Sequence, residues 1–465
     1  VGLRPTSPIL TFLGAAGTVT GSRFLVEHRE TRVLLDAGLF QGFKQLRLLN
    51  REPFPVEPAT LDAVVLTHAH LDHSGYLPAL VRAGFRGPVY VTANTAALAA
   101  IVLRDAARLQ EEDADYANRK GFSRHHPALP LYTVADADAA IRLFRPVEFG
   151  RPTPVADGLQ VTMRHAGHIL GAASLLVELP GGRTLFVSGD VGRPEHPLLR
   201  SPDPFPDVDV ALVESTYGDR RHPPEPAALE QLARLISRTA GRGGVVVIPA
   251  FAVDRTEIIL RAIRQLVQEQ RIPFLPVYVD SPMALDVLNV YRRAIRDGDP
   301  ELLPIDADPD PFDPGTLHEA RALEASIALH ALEYPSIIIS AAGMATGGRV
   351  VHHLSHRLPN PRNSIALVGF QADGTRGRLL ADGARTIKML GRHVPVRAEV
   401  EMIEGFSVHA DGDELLEWAR PARLPSTTYV VHGEPDASAT IRDRLDEELG
   451  WVAVVPRHGE RVRLD

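Results

Sequence analysis

Thr67-His68-Ala69-His70-Leu71-Asp72-His73-Ser74-Gly75 sets three imidazoles and a carboxylate within six residues, directly after the apolar, strand-like run Leu61 to Leu66. Imidazole nitrogen and carboxylate oxygen are the ligand set that suits zinc and its neighbours, and a catalytic zinc keeps one coordination position open. His68 and His70, two residues apart, can converge on one ion while Asp72 and His73 turn towards a second. A histidine-rich polar turn is the plain alternative, and distant partners for the cluster decide between the two.

Composition narrows the chemistry. The chain has no cysteine, so each metal ligand must be His, Asp or Glu. Its 465 residues, 45% of them hydrophobic, suffice for two to three domains with cores of their own. The 50 basic and 58 acidic residues give a net charge of −8, which argues against indiscriminate coating of nucleic acid. Val1 to Pro8 lacks the charged and apolar regions of a signal sequence, and no run of about 18 apolar residues is present. These features predict a cytoplasmic chain with no membrane partner.

The first half alternates short runs with turns: Ile9 to Leu13, Ser22 to Val26, Arg32 to Leu35, Ala63 to Leu66, Val89 to Thr92, Leu159 to His165, Ala173 to Glu178 and Thr184 to Ser188 read as strands. Ala93 to Tyr116 carries apolar residues at helical spacing, so this half is an α/β layer structure. Ligand-type residues fall just beyond strand ends, as on a scaffolded active site: Asp36 after Val33-Leu34-Leu35, His68 after Val64-Val65-Leu66, and Asp190 after Val187-Ser188-Gly189. In the middle, residues 243–249, 276–280, 336–340 and 364–368 are continuous apolar runs, which predicts a parallel, doubly wound sheet covered on both faces. The Pro- and Asp-rich stretch 297–316 reads as a surface loop. Beyond Val400, short elements bearing His409 and His432 are expected to rejoin the first domain.

Further candidate ligands stand in loops: His168 in Ala166-Gly167-His168, Asp190, and His432 in Val431-His432-Gly433-Glu434. With His68, His70, Asp72 and His73 they number seven. On these motifs the sequence resembles the metallo-β-lactamase superfamily. Glu214 in Glu214-Ser215-Thr216-Tyr217-Gly218, His409 in Phe406-Ser407-Val408-His409-Ala410-Asp411 and His432 resemble the three motifs of its β-CASP nucleases, over nearly the whole chain. Residues 340–349 and 369–378 are similar to the bacterial and archaeal relatives of the cleavage and polyadenylation endonuclease subunit.

The resemblance implies an αββα sandwich with an inserted β-CASP domain containing a mainly parallel sheet, divided as 1–208, 209–385 and 386–465. It implies two zinc ions, with manganese as the alternative: His68, His70, His168 and Asp190 on the first, Asp72, His73, Asp190 and His432 on the second. Asp36 would orient the ligand loop. Asp72, Glu214 and His409 would form the catalytic set, with Glu214 orienting His409 as the acid that protonates the leaving oxygen. The activity implied is RNA hydrolysis to 5′-phosphate and 3′-hydroxyl ends, endonucleolytic with an accompanying 5′-exonuclease. The alternatives are a hydrolase of a small phosphate ester, amide or thioester, and a non-catalytic RNA-processing scaffold.

Residues 341–400 carry nine basic side chains against three acidic ones, among Gly-rich turns that let backbone N–H groups approach phosphates. Arg349, Arg376 and Arg378 are the candidate phosphate contacts. Ser281 is a candidate contact whose other reading is a turn role. The partners expected are RNA and, as an open possibility, a second copy of the chain.

Overall fold

Strand alternation in the first half sends every second residue to the opposite face, and the computed structural model, which describes residues 7–464 except 122, 124 and 305–309, shows where each face goes. Two seven-stranded sheets pack face to face. In one, Ile9–Phe12 lies between Arg461–Arg463 and Phe24–His28, followed by Thr31–Leu35, Ala63–Val65, Val89–Thr92 and Phe144–Val147. In the other, Val210–Glu214 lies between Thr427–Val431 and Thr184–Val187, both parallel to it.

Leu10, Phe12, Val33 and Leu35 from the first sheet meet Val161, Leu175, Val187 and Leu212 from the second in one apolar layer. The intervening residues point outward and are covered by helices. Leu34, Val64 and Leu66 pack with Leu77, Leu80 and Leu103, while Ala211, Val213 and Val430 pack with Leu415, Ile441 and Leu445. Sheets buried on both faces explain why these strands read as apolar runs.

The helix expected to end at Tyr116 runs over Ala93–Lys120. Thr92 accepts from the N–H of Thr95 at its start, and nothing interrupts it before Gly121, whose φ of 66° closes the last turn.

The second unit is built on a six-stranded parallel sheet in the order Leu317–Glu319, Val277–Val279, Ser336–Ser340, Val245–Pro249, Ser364–Leu367 and Glu399–Met402. A hairpin of Thr386–Met389 with Arg392–Pro395 accompanies it. Of the expected loop 297–316, residues 305–309 lie outside the described residues.

The units comprise Val1–Arg221 with His409–Asp465, and His222–Val408. These edges differ from the expected 209 and 385. Val210–Glu214 is paired on both sides within the first unit's sheet, and Glu399–Met402 is a strand of the second unit's sheet. The pairing of those two strands, which no local motif announces, moves both boundaries.

Candidate metal centre

The ligand loop leaves the strand Ala63–Val65 and enters the short helix Leu71–Ser74, so backbone pairing must fix it. Ser22 N–H donates to the Asp72 carbonyl at 2.8 Å, Ala37 N–H to that of His73 at 2.7 Å and Leu39 N–H to that of Leu71 at 2.8 Å. Gly38 makes this approach possible, since a Cβ there would lie 1.7 Å from the Asp72 carbonyl oxygen. The bracing loop is held in turn by Arg23, whose Nε donates to the Gly38 carbonyl at 2.7 Å and whose guanidinium stacks 3.8 Å from the Tyr76 ring centre. Arg23 belongs to none of the sequence motifs.

Four ligand atoms converge first. His68 Nε2 lies 3.1 Å from His70 Nδ1, His168 Nε2 lies 3.2 Å from that same Nδ1, and Asp190 Oδ2 lies 3.5 and 3.6 Å from the nitrogens of His68 and His168. Around an ion about 2.0–2.1 Å from each ligand, a tetrahedron has edges of roughly 3.3 Å. The spacing fits a small divalent ion.

A second set meets the other oxygen of Asp190. His73 Nε2 is 3.2 Å from Oδ1 and 3.1 Å from His432 Nε2, which is 3.7 Å from Asp72 Oδ2. Asp190 therefore has one oxygen towards each set. Asp190, Glu214 and His432 also offer atoms within 4.8 Å of one another. The Glu214 oxygens are already engaged, however: Oε1 accepts from Val191 N–H at 2.6 Å and faces His409 Nδ1 at 3.3 Å, and Oε2 accepts from Thr216 N–H at 3.2 Å.

Asp36, at φ 59°, accepts from Thr67 N–H and Thr67 Oγ1 and lies 2.7 Å from His73 Nδ1. An Nδ1–H donated to this carboxylate leaves the Nε2 lone pair facing the centre. Thr67, next to the motif in sequence, places its hydroxyl 3.1 Å from His68 Nδ1 as well. That adjacency was the available signal for it.

The charge states of three rings in the first set suit metal binding. Burial, reinforced by neighbouring imidazoles, holds His68 and His168 well below the usual imidazole range, and burial lowers His70. Neutral rings are what a metal ion requires. Burial also acts to lower His73, but the Asp190 and Asp36 carboxylates outweigh it and raise that ring well above its ordinary range. Burial opposes ionisation of Asp190, yet His432, His73 and His68 draw it well below the usual carboxylate value. His409, which burial would lower, is raised by Glu214, Asp190 and Asp72; its Nε2 lies 3.9 Å from Asp190 Oδ2.

The four candidate substrate contacts lie in the second unit, each engaged locally. Ser281 caps the helix Pro282–Asp297, its side chain accepting from Ala284 N–H. Arg349 donates to Asp280 and to the carbonyls of Ala320 and Arg321. Arg376 donates to the carbonyls of Lys388, Ala345 and Thr346, and Arg378 pairs with Asp382 and Asp373. These guanidinium groups brace the loops that carry them, which a count of charges along the chain does not show.

Three family models match in succession: the metallo-beta-lactamase superfamily over residues 16–229, the Beta-Casp domain over 256–380, and the Zn-dependent metallo-hydrolase RNA specificity domain over 393–456. The chain is 39% identical to ribonuclease TTHA0252 of Thermus thermophilus, over 97% of this chain and 98% of that one. It is 31% identical to transcription termination factor FttA of Pyrococcus abyssi, over 98% of this chain and 71% of that one. Among solved structures, a protein of unknown function from Enterococcus faecalis shares the fold at a TM-score of 0.51 and 14% identity, over 98% of this chain and 100% of that one. This chain belongs to the β-CASP family of the metallo-β-lactamase superfamily.

Proposed function

We propose that the chain is a ribonuclease that hydrolyses RNA phosphodiester bonds to 5′-phosphate and 3′-hydroxyl ends, chiefly within the strand, with a 5′-exonuclease activity as a secondary mode. Two divalent ions, zinc in the first instance, would be held by His68, His70, His168 and Asp190, and by Asp72, His73, Asp190 and His432. The observation that carries this reading is the Asp190 carboxylate, whose two oxygens face two separate groups of imidazoles. Bound there, divalent ions would supply a water acidified to a pKa of about 7 and a clamp on the phosphoryl oxygens.

The chain's own groups do the rest. Asp36 and Thr67 hold the ligand rings in orientation through their outer nitrogens. A leaving 3′ oxygen needs a proton, and His409 is placed to give it. Its Nδ1 lies against Glu214, which fixes the ring and favours the charged form, and its Nε2 lies on the side of Asp190. The relative named a ribonuclease, similar over nearly its full length, favours RNA over a small ester.

The test separates acid from ligand. His409→Ala should retain its metal while RNA cleavage slows by roughly 10²- to 10⁴-fold. A substrate whose leaving alcohol has a low pKa should lose far less. Equal losses on both substrates, or loss of metal with the ring, contradict the assignment.

A further inference from the structure

The outer nitrogen of His73 faces Asp36. Among the described residues, no carboxylate outside the ligand set is hydrogen-bonded to the matching atom of His432. Its Nδ1 instead lies 3.1 Å from Thr216 Oγ1, and that hydroxyl donates its one proton to the His432 carbonyl oxygen at 3.2 Å. A hydroxyl whose proton is committed can only accept from a second partner. The other atom near Nδ1 is Asp190 Oδ1 at 3.4 Å, and an ionised carboxylate likewise only accepts. Both neighbours therefore require Nδ1–H. The Nε2 lone pair is left for the side where His73 Nε2 and Asp72 Oδ2 stand.

The backbone points the same way. His432 sits at φ 50°, a conformation that favours glycine, directly after the strand Thr427–Val431. Its N–H donates to the Ala15 carbonyl, and its carbonyl accepts from Ser215 N–H as well as from Thr216 Oγ1. Thr216 thus grips the residue at two points, carbonyl and ring. It can do so because Glu214 and Val431 are paired across neighbouring parallel strands, which brings the two strand ends side by side. Thr216 is buried, and its own N–H reaches the Glu214 carboxylate.

We propose that Thr216 is a positioning residue for the second metal site: its hydroxyl fixes the tautomer and ring orientation of His432, the task Asp36 performs for His73. The proposal rests on the reading of His432 as a ligand, and the experiment keeps the two apart. Chelator-stripped wild-type, Thr216→Val, Thr216→Ser and His432→Ala chains are titrated with Zn2+ against a competing chromophoric chelator. Thr216→Val should bind one ion as wild type does and the other about 10- to 100-fold more weakly, the usual cost of losing an orienting partner. Thr216→Ser, which keeps the hydroxyl, should restore both.

If His432→Ala loses an ion while Thr216→Val binds both normally, the positioning role is overturned and the ligand reading stands. If His432→Ala binds both ions normally, the ligand reading falls and takes this proposal with it. Equal weakening of both ions in Thr216→Val also overturns it, since a loosened core would act on both. Should Thr216→Val fail to fold, nitrogen-15 shifts of the His432 ring in the zinc-loaded wild type decide: a proton on Nδ1 is expected, and a proton on Nε2 contradicts the proposal.

Discussion

Two parts of the molecule bring clustered histidines to a buried aspartate, and only in one do three or more ligand atoms converge as a metal ion needs. In the first unit the ring nitrogens of His68, His70 and His168 point at one another across 3.1 and 3.2 Å, with a carboxylate oxygen completing the set. In the second unit, Asp280 meets His353, whose ring packs against His330, which in turn stacks on His356, yet the arrangement differs. Asp280 Oδ2 is 2.5 Å from His353 Nε2 and accepts from Ser326 at 2.6 Å, while Oδ1 accepts from Arg349 at 2.7 Å. The rings of His330 and His356 stack at 4.1 Å instead of converging through their nitrogens. Among the described residues, the groups of three or more whose ligand atoms come within 4.8 Å of one another all lie in the first unit. Convergence of lone pairs, more than the number of histidines, makes the difference.

Substitutions at matching positions sharpen this contrast. The largest effect is expected at the shared carboxylate: Asp190→Ala should strip both ions and reduce RNA cleavage to background, as read by elemental analysis and an end-labelled substrate. Retention of both ions would break the comparison. Asp280→Ala should leave metal content unchanged and instead destabilise the chain by about 3–5 kcal/mol, because Arg349 and His353 lose their buried acceptor. Denaturant unfolding measures it, and metal loss at unchanged stability would reverse the roles assigned to the two clusters.

Asp36→Asn should be milder, weakening zinc by about 10- to 100-fold while the fold persists. A zinc titration checks it, and wild-type affinity would remove Asp36 from the centre.

The smallest effect concerns a carboxyl with no counterpart in the metal centre. The Glu257 carboxyl is fully buried, and burial, helped by Asp254, raises its pKa well above the usual range. The folded chain keeps that proton where the unfolded chain releases it. Its share of stability is therefore intact below the ordinary carboxylate value and falls as pH rises towards the folded value. Glu257→Gln should raise the melting temperature slightly at pH 8 and hardly at pH 4. An equal gain at both would contradict a titrating origin.

The metal centre was legible because its residues stand in short motifs at strand ends, where the chain must bring them to one edge of a sheet. His165 to Asp190 spans two strands, Ala173–Glu178 and Thr184–Val187, whose apolar runs fixed their pairing and hence the approach of His168 to Asp190. The supports were less visible. Arg23 and Thr216 act through contacts 15 and 216 residues away, and no local pattern records them. The local partners of the basic stretch were hidden for a related reason: a sequence shows charge, whereas carbonyls such as those of Ala345 and Thr346, which engage Arg376, have no signature. The unit boundaries depended on strand partners in the same way.

The most direct test of the account titrates chelator-stripped protein with Zn2+ and follows zinc bound and end-labelled RNA cleaved in the same samples. Cleavage should be absent without metal, rise with occupancy to two ions per chain and leave 5′-phosphate ends. Saturation at a single ion, or cleavage that proceeds equally in the stripped protein, would contradict a two-ion centre organised around Asp190.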